Sequence, residues 1–510
     1  MTRPNILHII SDQHNAKVLG HAGHPQVQTP HLDRMAAEGV RFTNAITQNP
    51  ICTPSRVCYL SGQYPHNHGF YGLSGPNPGG LPTVLGHFRR AGYTTSAMGK
   101  IHCPEYWVED DSDVFHETCA ASVGGRSKAY EAFLRERGKL ELEDHIGLTE
   151  FGDRGRQSME GRPSPLTFEE SQEGWIADQT IAFMREAAER GRPFFAHASL
   201  PRPHQCTAPS REFWNLYEGL DLVLPPNADY DMALKAPHLR GSAENWRKGH
   251  WALLEPKTFE AARLRKLHGY LGAVSQVDHA VGQMLDFLRE SGLAESTIVI
   301  YTADHGDYAC EHGNMEKAPG ICADAITRIP HLWWAPGRFA AGHAAPEIVE
   351  TVDMATTLCA LAGLEPLETG DGRDISHLLR GGSGEVHRIG VTEFPWSKSV
   401  RKGQYRLVYY PPQTFPDEYP DGFGELYDLD ADPWEMRNLY FEPDCAEVAR
   451  DLHGDLLDWL VTTTRPATAH GVNTHRTFPS TQSHMRYHAQ VNADGKINPA
   501  LLGEAWKTYV

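Results

Sequence analysis

Asn5-Ile-Leu-His-Ile-Ile10 runs without a break into Ser11-Asp12-Gln13-His14. A short run of mostly branched apolar residues with no polar alternation predicts a strand buried on both faces, as in a parallel sheet covered by helices. The same grammar returns twice. Pro193-Phe-Phe-Ala-His-Ala-Ser-Leu200 ends in Pro201-Arg202-Pro203-His204, and Ser296-Thr-Ile-Val-Ile-Tyr-Thr302 ends in Ala303-Asp304-His305-Gly306. Three buried strands therefore deliver polar residues at their carboxyl ends, the edge of an open α/β sheet where ligands bind. Residues far apart in the chain are predicted to meet there in one crevice.

Between the second and third of these strands, Leu264, Leu267, Leu271, Val274, Val277, Val281, Leu285 and Leu288 fall at spacings of three and four, which predicts one long amphipathic helix over residues 259–290. Shorter helical patterns over residues 30–39, 81–92 and 176–190 each close on a glycine at or just past the end. Strands alternating with helices predict an α/β domain with a mainly parallel, mixed central sheet flanked by helices. Residues 104–174, polar with weak periodicity, and 201–258, rich in proline and tryptophan, read as insertions over the sheet edge. Trp107, Trp214, Trp246 and Trp251 within them suit either core packing or an aromatic wall for an aryl or quaternary ammonium group. After Leu379-Arg380-Gly-Gly-Ser-Gly384 the pattern changes to strand-like pieces at 404–410 and 425–429 and a helix near 445–461. A boundary near residue 384 is expected, separating a catalytic domain (1–384) from a smaller C-terminal α+β subdomain (385–510). The last 45 or so residues of the subdomain are polar, His-rich and expected to wrap the body or a partner subunit.

Composition narrows the function classes. Across 510 residues, 47 Lys plus Arg face 65 Asp plus Glu, a formal charge of −18 that argues against nucleic-acid binding. With 40% hydrophobic and 22% charged residues the chain reads as an ordinary globular protein. No run approaches the roughly 18 to 20 apolar residues of a membrane span, and Met1-Thr2-Arg3-Pro4-Asn5 leads straight into the first strand, so a cytoplasmic protein without signal peptide or membrane contact is expected. Nine cysteines without a CxxC pair make neither a disulfide framework nor a zinc ribbon. His14, His21, His24 and His31 follow one another at intervals that fit no helix face or zinc motif, and loop histidines are the plainer reading. His66 and His68 follow the Cys52 helix and suit a pocket lining, outside the core assignment.

The chemistry centres on Pro50-Ile-Cys52-Thr53-Pro54-Ser55-Arg56. Pro54 suits a first helical turn, so Cys52 is expected at a helix N-terminus, where free N–H groups and the dipole favour an anion and a low-pKa or modified cysteine. Taken alone, a buried structural Cys beside an ordinary ion-paired Arg56 would serve as well.

The motif is not alone. Cys52-Thr-Pro54-Ser-Arg56 resembles the Cys-x-Pro-x-Arg signature of sulfatases and the related phosphonate monoester hydrolases of the alkaline phosphatase superfamily. Gly92-Tyr-Thr-Thr-Ser-Ala-Met98-Gly99-Lys100-Ile101-His102 is similar to the second signature, with Met98 where a smaller residue is common. Asp12-Gln13, Thr29-Pro30-His-Leu32-Asp33, Pro203-His204, Asp304-His305-Gly306, Glu425-Leu-Tyr427-Asp-Leu429, Asp432-Pro433 and Asn438-Leu439 follow in family order. The resemblance implies an alkaline-phosphatase-like fold and oxidation of Cys52 to formylglycine, whose hydrate supplies the nucleophile. It implies one divalent metal ion, Ca2+ or Mn2+, on Asp12, Gln13, Asp304, His305 and the modified Cys52. It implies Arg56, Lys100 and Lys317 as the cations around the transferred group, His102 as the base that expels the product, and His204 at the leaving oxygen. A formylglycine-generating or equivalent enzyme is the implied modifying partner, and a homo-oligomer the implied assembly.

Two positions depart from many sulfatases, which often carry a second Asp where Gln13 stands and Asn where His305 stands. Fewer carboxylates plus an imidazole move the preference from Ca2+ toward Mn2+, and resemble phosphonate monoester hydrolases and choline-sulfatase-like enzymes. The leading expectation is hydrolysis of an aryl or small alkyl sulfate monoester. The alternative is a phosphonate monoester or phosphodiester hydrolase, or promiscuity between the two, and the third is a non-catalytic oxyanion-binding protein.

Overall fold

The computed structural model describes residues 3–73, 80–104, 106–118, 128–142, 160–249, 251–252, 254–317 and 322–465. The polar tail after 465 and most of residues 119–159 lie outside these. Eight strands form the central sheet: β1 (Asn5–Asp12), β2 (Val40–Ile46), β3 (Thr94–Gly99), β4 (Val114–Glu117), β5 (Phe194–Pro203), β6 (Thr297–Ala303), β7 (His331–Trp334) and β8 (His343–Glu350). Their order is β4-β3-β5-β1-β6-β7-β2-β8, and β7 alone is antiparallel to its neighbours. The three strands predicted from apolar runs are the three central ones. His8 of β1 stands opposite His197 of β5 and Ile300 of β6.

Period-two alternation divides β1 between two cores. Ile6 and Ile10 pack with Val57, Tyr59, Phe88 and Leu358 under helices Cys52–Ser61, Val84–Arg90 and Asp353–Ala362. Leu7 and Ile9 pack with Ile176, Val277, Met284 and Leu285 under helices Gln172–Glu189 and Phe259–Glu290. Phe259–Glu290 is the predicted long helix, opened by Thr258, whose hydroxyl accepts from Ala261 N. Leu264, counted on its apolar face, is instead 38% exposed, because the first turns of this helix bury a different stripe, Phe259, Ala262 and Leu267, against Tyr217, Trp246 and Trp251.

Of the two readings open for the tryptophans, packing is the one the structure takes. Trp107 is core and donates to the Leu81 carbonyl at 2.9 Å, Trp246 and Trp251 are buried with Tyr217 and Tyr270, and Trp214 stacks on His268. A second, antiparallel sheet, β12-β11-β10-β9, is built from β9 (Gly390–Phe394), β10 (Ser397–Lys402), β11 (Tyr405–Tyr410) and β12 (Phe423–Asp428), with helix Ala446–Thr463 packed on it. The strand-like pieces near 404 and 425 are β11 and β12; β9 and β10 were not foreseen. No described helix is long and apolar enough to cross a membrane.

Candidate active site

The carboxyl ends of β1 and β6 lie side by side, and the helix Cys52–Ser61 comes down onto them head first. Ser55 Oγ and Thr47 Oγ1 both donate to the Asp304 carbonyl, at 2.6 and 2.7 Å, tying the helix head to the end of β6. Arg56, one turn into the helix, bridges two carboxylates: its Nη2 lies 3.0 Å from Asp12 Oδ2 and its Nε donates to Asp304 Oδ2 at 2.9 Å. Its Nη1 donates to the Lys100 carbonyl and to Ser199 Oγ. All these side chains are buried. Such an arrangement resists removal of one partner far more than it adds net stability, because an orphaned buried charge is the costly state.

Cys52 Sγ sits within this frame, 2.9 Å from Lys317 Nζ, 3.2 Å from His305 Nε2 and 3.8 Å from Asp12 Oδ1. Lys100 Nζ meets Asp12 Oδ2 at 2.5 Å. Burial and Asp12 push the Cys52 thiol up, yet Lys317, Lys100 and His305 together hold it well below its ordinary value. Burial would likewise raise Asp12, and Lys100, His204, Arg56 and Lys317 hold it well below the usual carboxylate range. The segment Gly99-Lys100-Ile101-His102 is gripped from both sides. Gly99 has φ +104°, and a Cβ there would lie 1.9 Å from the Ser199 carbonyl oxygen, so only glycine lets β3 run this close to β5. Glu117 at the end of β4 accepts from Ile101 N and His102 N, the latter at 2.9 Å.

Asp12, Cys52, Asp304 and His305 are the one group of three or more His, Cys, Asp or Glu side chains among the described residues that could hold a metal, with ligand atoms within 4.8 Å of one another. Gln13 Oε1 is buried without a hydrogen-bond partner, and His305 Nδ1 lies 2.8 Å from the Gly306 carbonyl, which leaves Nε2 facing the group. Burial lowers the His305 pKa, but Asp304 overrides it and the net shift is upward, the field in which a cation would replace a proton. Two carboxylates, an amide oxygen and an imidazole nitrogen are a mixed O/N set that fits a divalent cation of the Ca2+ or Mn2+ kind.

Of the residues singled out from the sequence, Asp12, Gln13, Cys52, Arg56, Lys100, Asp304, His305 and Lys317 converge here. His204 donates its backbone N–H to the Asp12 carbonyl at 3.1 Å, and its Nδ1 lies 2.7 Å from the Gln205 carbonyl. Burial, then Lys100, holds its imidazole well below the ordinary pKa. His102 is buried in a left-handed conformation (φ 47°), and its ring makes no hydrogen bond among the described residues. The early histidines form no second metal group: His14 is bonded to Tyr301 and His24 accepts from Gln26 N and Val27 N. His66 and His68 lie elsewhere, on Glu393 and Cys58. Sequence reasoning passed over Asp307, Gln205 and Glu117, which fix the site from behind. Only Asp307 carried a signal, one residue beyond Asp304-His305-Gly306.

The chain is similar to known proteins over most of its length. A sequence profile of the sulfatase family matches residues 4–364, and one described as N-sulphoglucosamine sulphohydrolase, C-terminal, matches residues 310–461. An ulvan-active sulfatase of Formosa agariphila is 26% identical over 467 residues, covering 89% of this chain and 80% of that protein. An arylsulfatase of Clostridium perfringens is 26% identical over 451 residues, covering 86% and 90%. Among solved structures, a phosphonate monoester hydrolase of Agrobacterium radiobacter superposes with a TM-score of 0.72 at 22% identity, covering 90% of this chain and 96% of that one.

Proposed function

Since this chain belongs to the sulfatase family and is a sulfuric ester hydrolase, we propose that it cleaves aryl or small alkyl sulfate monoesters with formylglycine made from Cys52 and one divalent cation. The observation that carries this reading is the placing of Cys52 Sγ at a buried helix head, in contact with Lys317 and His305 and backed by Arg56. Formylglycine there would supply a nucleophilic oxygen, and a cation held by Asp12, Gln13, Asp304 and His305 would lower the pKa of that oxygen and neutralise charge on the ester.

The protein's own groups divide the remaining work. Arg56 has its fork committed to Asp12, Asp304, Lys100 O and Ser199, so it orients the carboxylates and the nucleophile rather than gripping the ester. Lys100 and Lys317 are the cations whose ammonium groups face the nucleophile's surroundings, and they stabilise the equatorial oxygens as the bond to the alcohol lengthens. His204, with Nδ1–H directed at the Gln205 carbonyl, donates to the leaving oxygen from Nε2 only as the imidazolium. An anionic ester between it and Lys100 favours that form. His102 takes up the proton whose loss expels inorganic sulfate. Oxidation of Cys52 calls for a formylglycine-generating or equivalent enzyme.

Gln13 and His305 favour a second reading, a phosphonate monoester or phosphodiester hydrolase using Mn2+. The test is a paired kcat/KM on an aryl sulfate and the matching aryl phosphonate monoester, on metal-replete protein whose formylglycine fraction is known from peptide mass. A ratio above about 100 for sulfate, about 2.7 kcal/mol of differential transition-state binding, supports the sulfatase reading, and the inverse ratio overturns it for the second.

A further inference from the structure

Behind Gln13 lies a polar layer that the reaction itself does not use. Gln13 has φ 70°, and its backbone N–H donates to Asp304 Oδ1 at 3.0 Å, so the residue is turned sharply at the end of β1. Both hydrogens of its side-chain amide are taken: Nε2 donates to Asp307 Oδ2 and, at 3.1 Å, to Gln205 Oε1. Gln205 is held in turn, its Nε2 donating to Glu316 Oε1 at 2.9 Å. Asp307 is fixed by Ala309 N on Oδ1 at 2.6 Å and by the fully buried Lys266, whose Nζ stands 4.0 Å from Oδ2. A carboxylate offers only acceptors, so reversing the amide would set Oε1 against the Asp307 oxygen and leave two buried donors unmet. The layer therefore permits one orientation, and in it Oε1 is the buried oxygen with no donor.

We propose that Asp307 and Gln205 are positioning residues that hold the Gln13 amide so that its carbonyl oxygen serves as a cation ligand. The inference rests on the reading of Asp12, Gln13, Asp304 and His305 as a metal site, and it adds that the neutral ligand is made by its neighbours. A carboxamide is a weak ligand and flips readily, and in water its nitrogen and oxygen ends are equally available. Here an anion and an amide oxygen behind it remove that freedom.

The experiment measures metal affinity and needs no turnover. Mn2+ is titrated into chelator-treated full-length protein, with free Mn2+ counted by its EPR signal, for the wild type, Asp307→Asn, Gln205→Leu, Gln13→Ala and the double variant Gln13→Ala/Asp307→Asn. Loss of an outer partner of a metal ligand typically weakens affinity about 10- to 100-fold, and this is the expected effect of Asp307→Asn and of Gln205→Leu. In the Gln13→Ala background Asp307→Asn is expected to add less than about threefold, because the group it positions is gone. Full additivity of Asp307→Asn and Gln13→Ala, or wild-type affinity in both outer variants, overturns the proposal while leaving the sulfatase reading intact. A wild type that binds neither Mn2+ nor Ca2+ overturns the metal site and the proposal together. Thermal unfolding of each metal-free variant identifies any that fails to fold, and the surviving outer variant then carries the test.

Discussion

Two buried clusters of carboxylates and nitrogen bases can be compared within this molecule. One lies under the head of the Cys52 helix. The other lies where β8 meets β9, and joins Glu350, Asp353, His387 and Tyr64. In the second, His387 Nε2 is 2.9 Å from both Asp353 oxygens, which also accept from Arg373 N and Glu350 N, while the Glu350 oxygens accept from Val391 N and Tyr64 OH. Every carboxylate oxygen there has a donor. In the first, Gln13 Oε1 has none, and the thiol is surrounded by cations that raise its reactivity. Buried charge is common to both clusters, so it does not mark the working site. A buried acceptor left without a donor beside a cation-flanked thiol does.

The contrast can be broken most directly at Cys52. Cys52→Ala is expected to lower kcat on the order of 10^5-fold with an unchanged melting curve, and a variant that keeps its activity would remove the nucleophile from the reading. The opposite pattern is expected at His387. His387→Gln leaves Asp353 and Glu350 without their cation and should cost about 3–5 kcal/mol in denaturant unfolding, with kcat/KM unaffected below the transition. A loss of activity without a loss of stability would show that the second cluster is not a closed structural one.

A smaller effect separates the clusters by pH. Burial lowers the His387 pKa, but Asp353 and then Glu350 override it and raise it to about 9, above the unfolded value of 6.5. Its contribution is therefore complete below about pH 6.5 and is lost as pH rises through about 9, on the order of 3 kcal/mol. Outside both clusters, His197 shows the reverse sign: burial holds it down to about 3, so its contribution is present above 6.5 and lost as pH falls toward 3. Unfolding free energies from pH 5 to 10 should fall on the alkaline side, and His387→Gln should flatten that limb; an unchanged limb would refute the assignment to His387. The smallest effect is chelation. Removing a cation present at about 100 times its Kd should lower stability by about 2.7 kcal/mol in the wild type and by much less in Asp304→Asn, and an equal response of both would place the cation elsewhere.

Much of the first cluster was legible because strand ends are written plainly: an apolar run, then Asp12-Gln13 or Asp304-His305. Cys52, Arg56 and Lys100 sit in motifs whose order is itself information. The second cluster left no such trace. Glu350 ends β8 and Asp353 opens the helix Asp353–Ala362, and nothing local in the sequence joins them to His387, 34 residues on from Asp353. Gln205 and Asp307 were missed for the same reason, since they meet Gln13 across 192 and 294 residues. The strands β9 and β10 were missed because Gly390-Val-Thr-Glu-Phe394 and Ser397-Lys-Ser-Val-Arg-Lys402 carry few apolar side chains, and only Val391 and Val400 reach the core beneath helix Ala446–Thr463. The tryptophans were ambiguous because bulk and ring chemistry do not tell a wall from a core.

The Arg56 bridge has a consequence for how the chain acquires its site in time. It joins Asp12 and Asp304, 44 and 248 residues away, and Lys317 reaches Cys52 across 265. No local segment can assemble this group early, because β6 must be added to β1 before the two carboxylates face one guanidinium, and parallel pairings of such high contact order form slowly. Until then Arg56, Asp12 and Asp304 are solvated charges on separate stretches of chain. Cation affinity would arise late and all at once in refolding, making metal uptake a clock for the joining of β1 with β6.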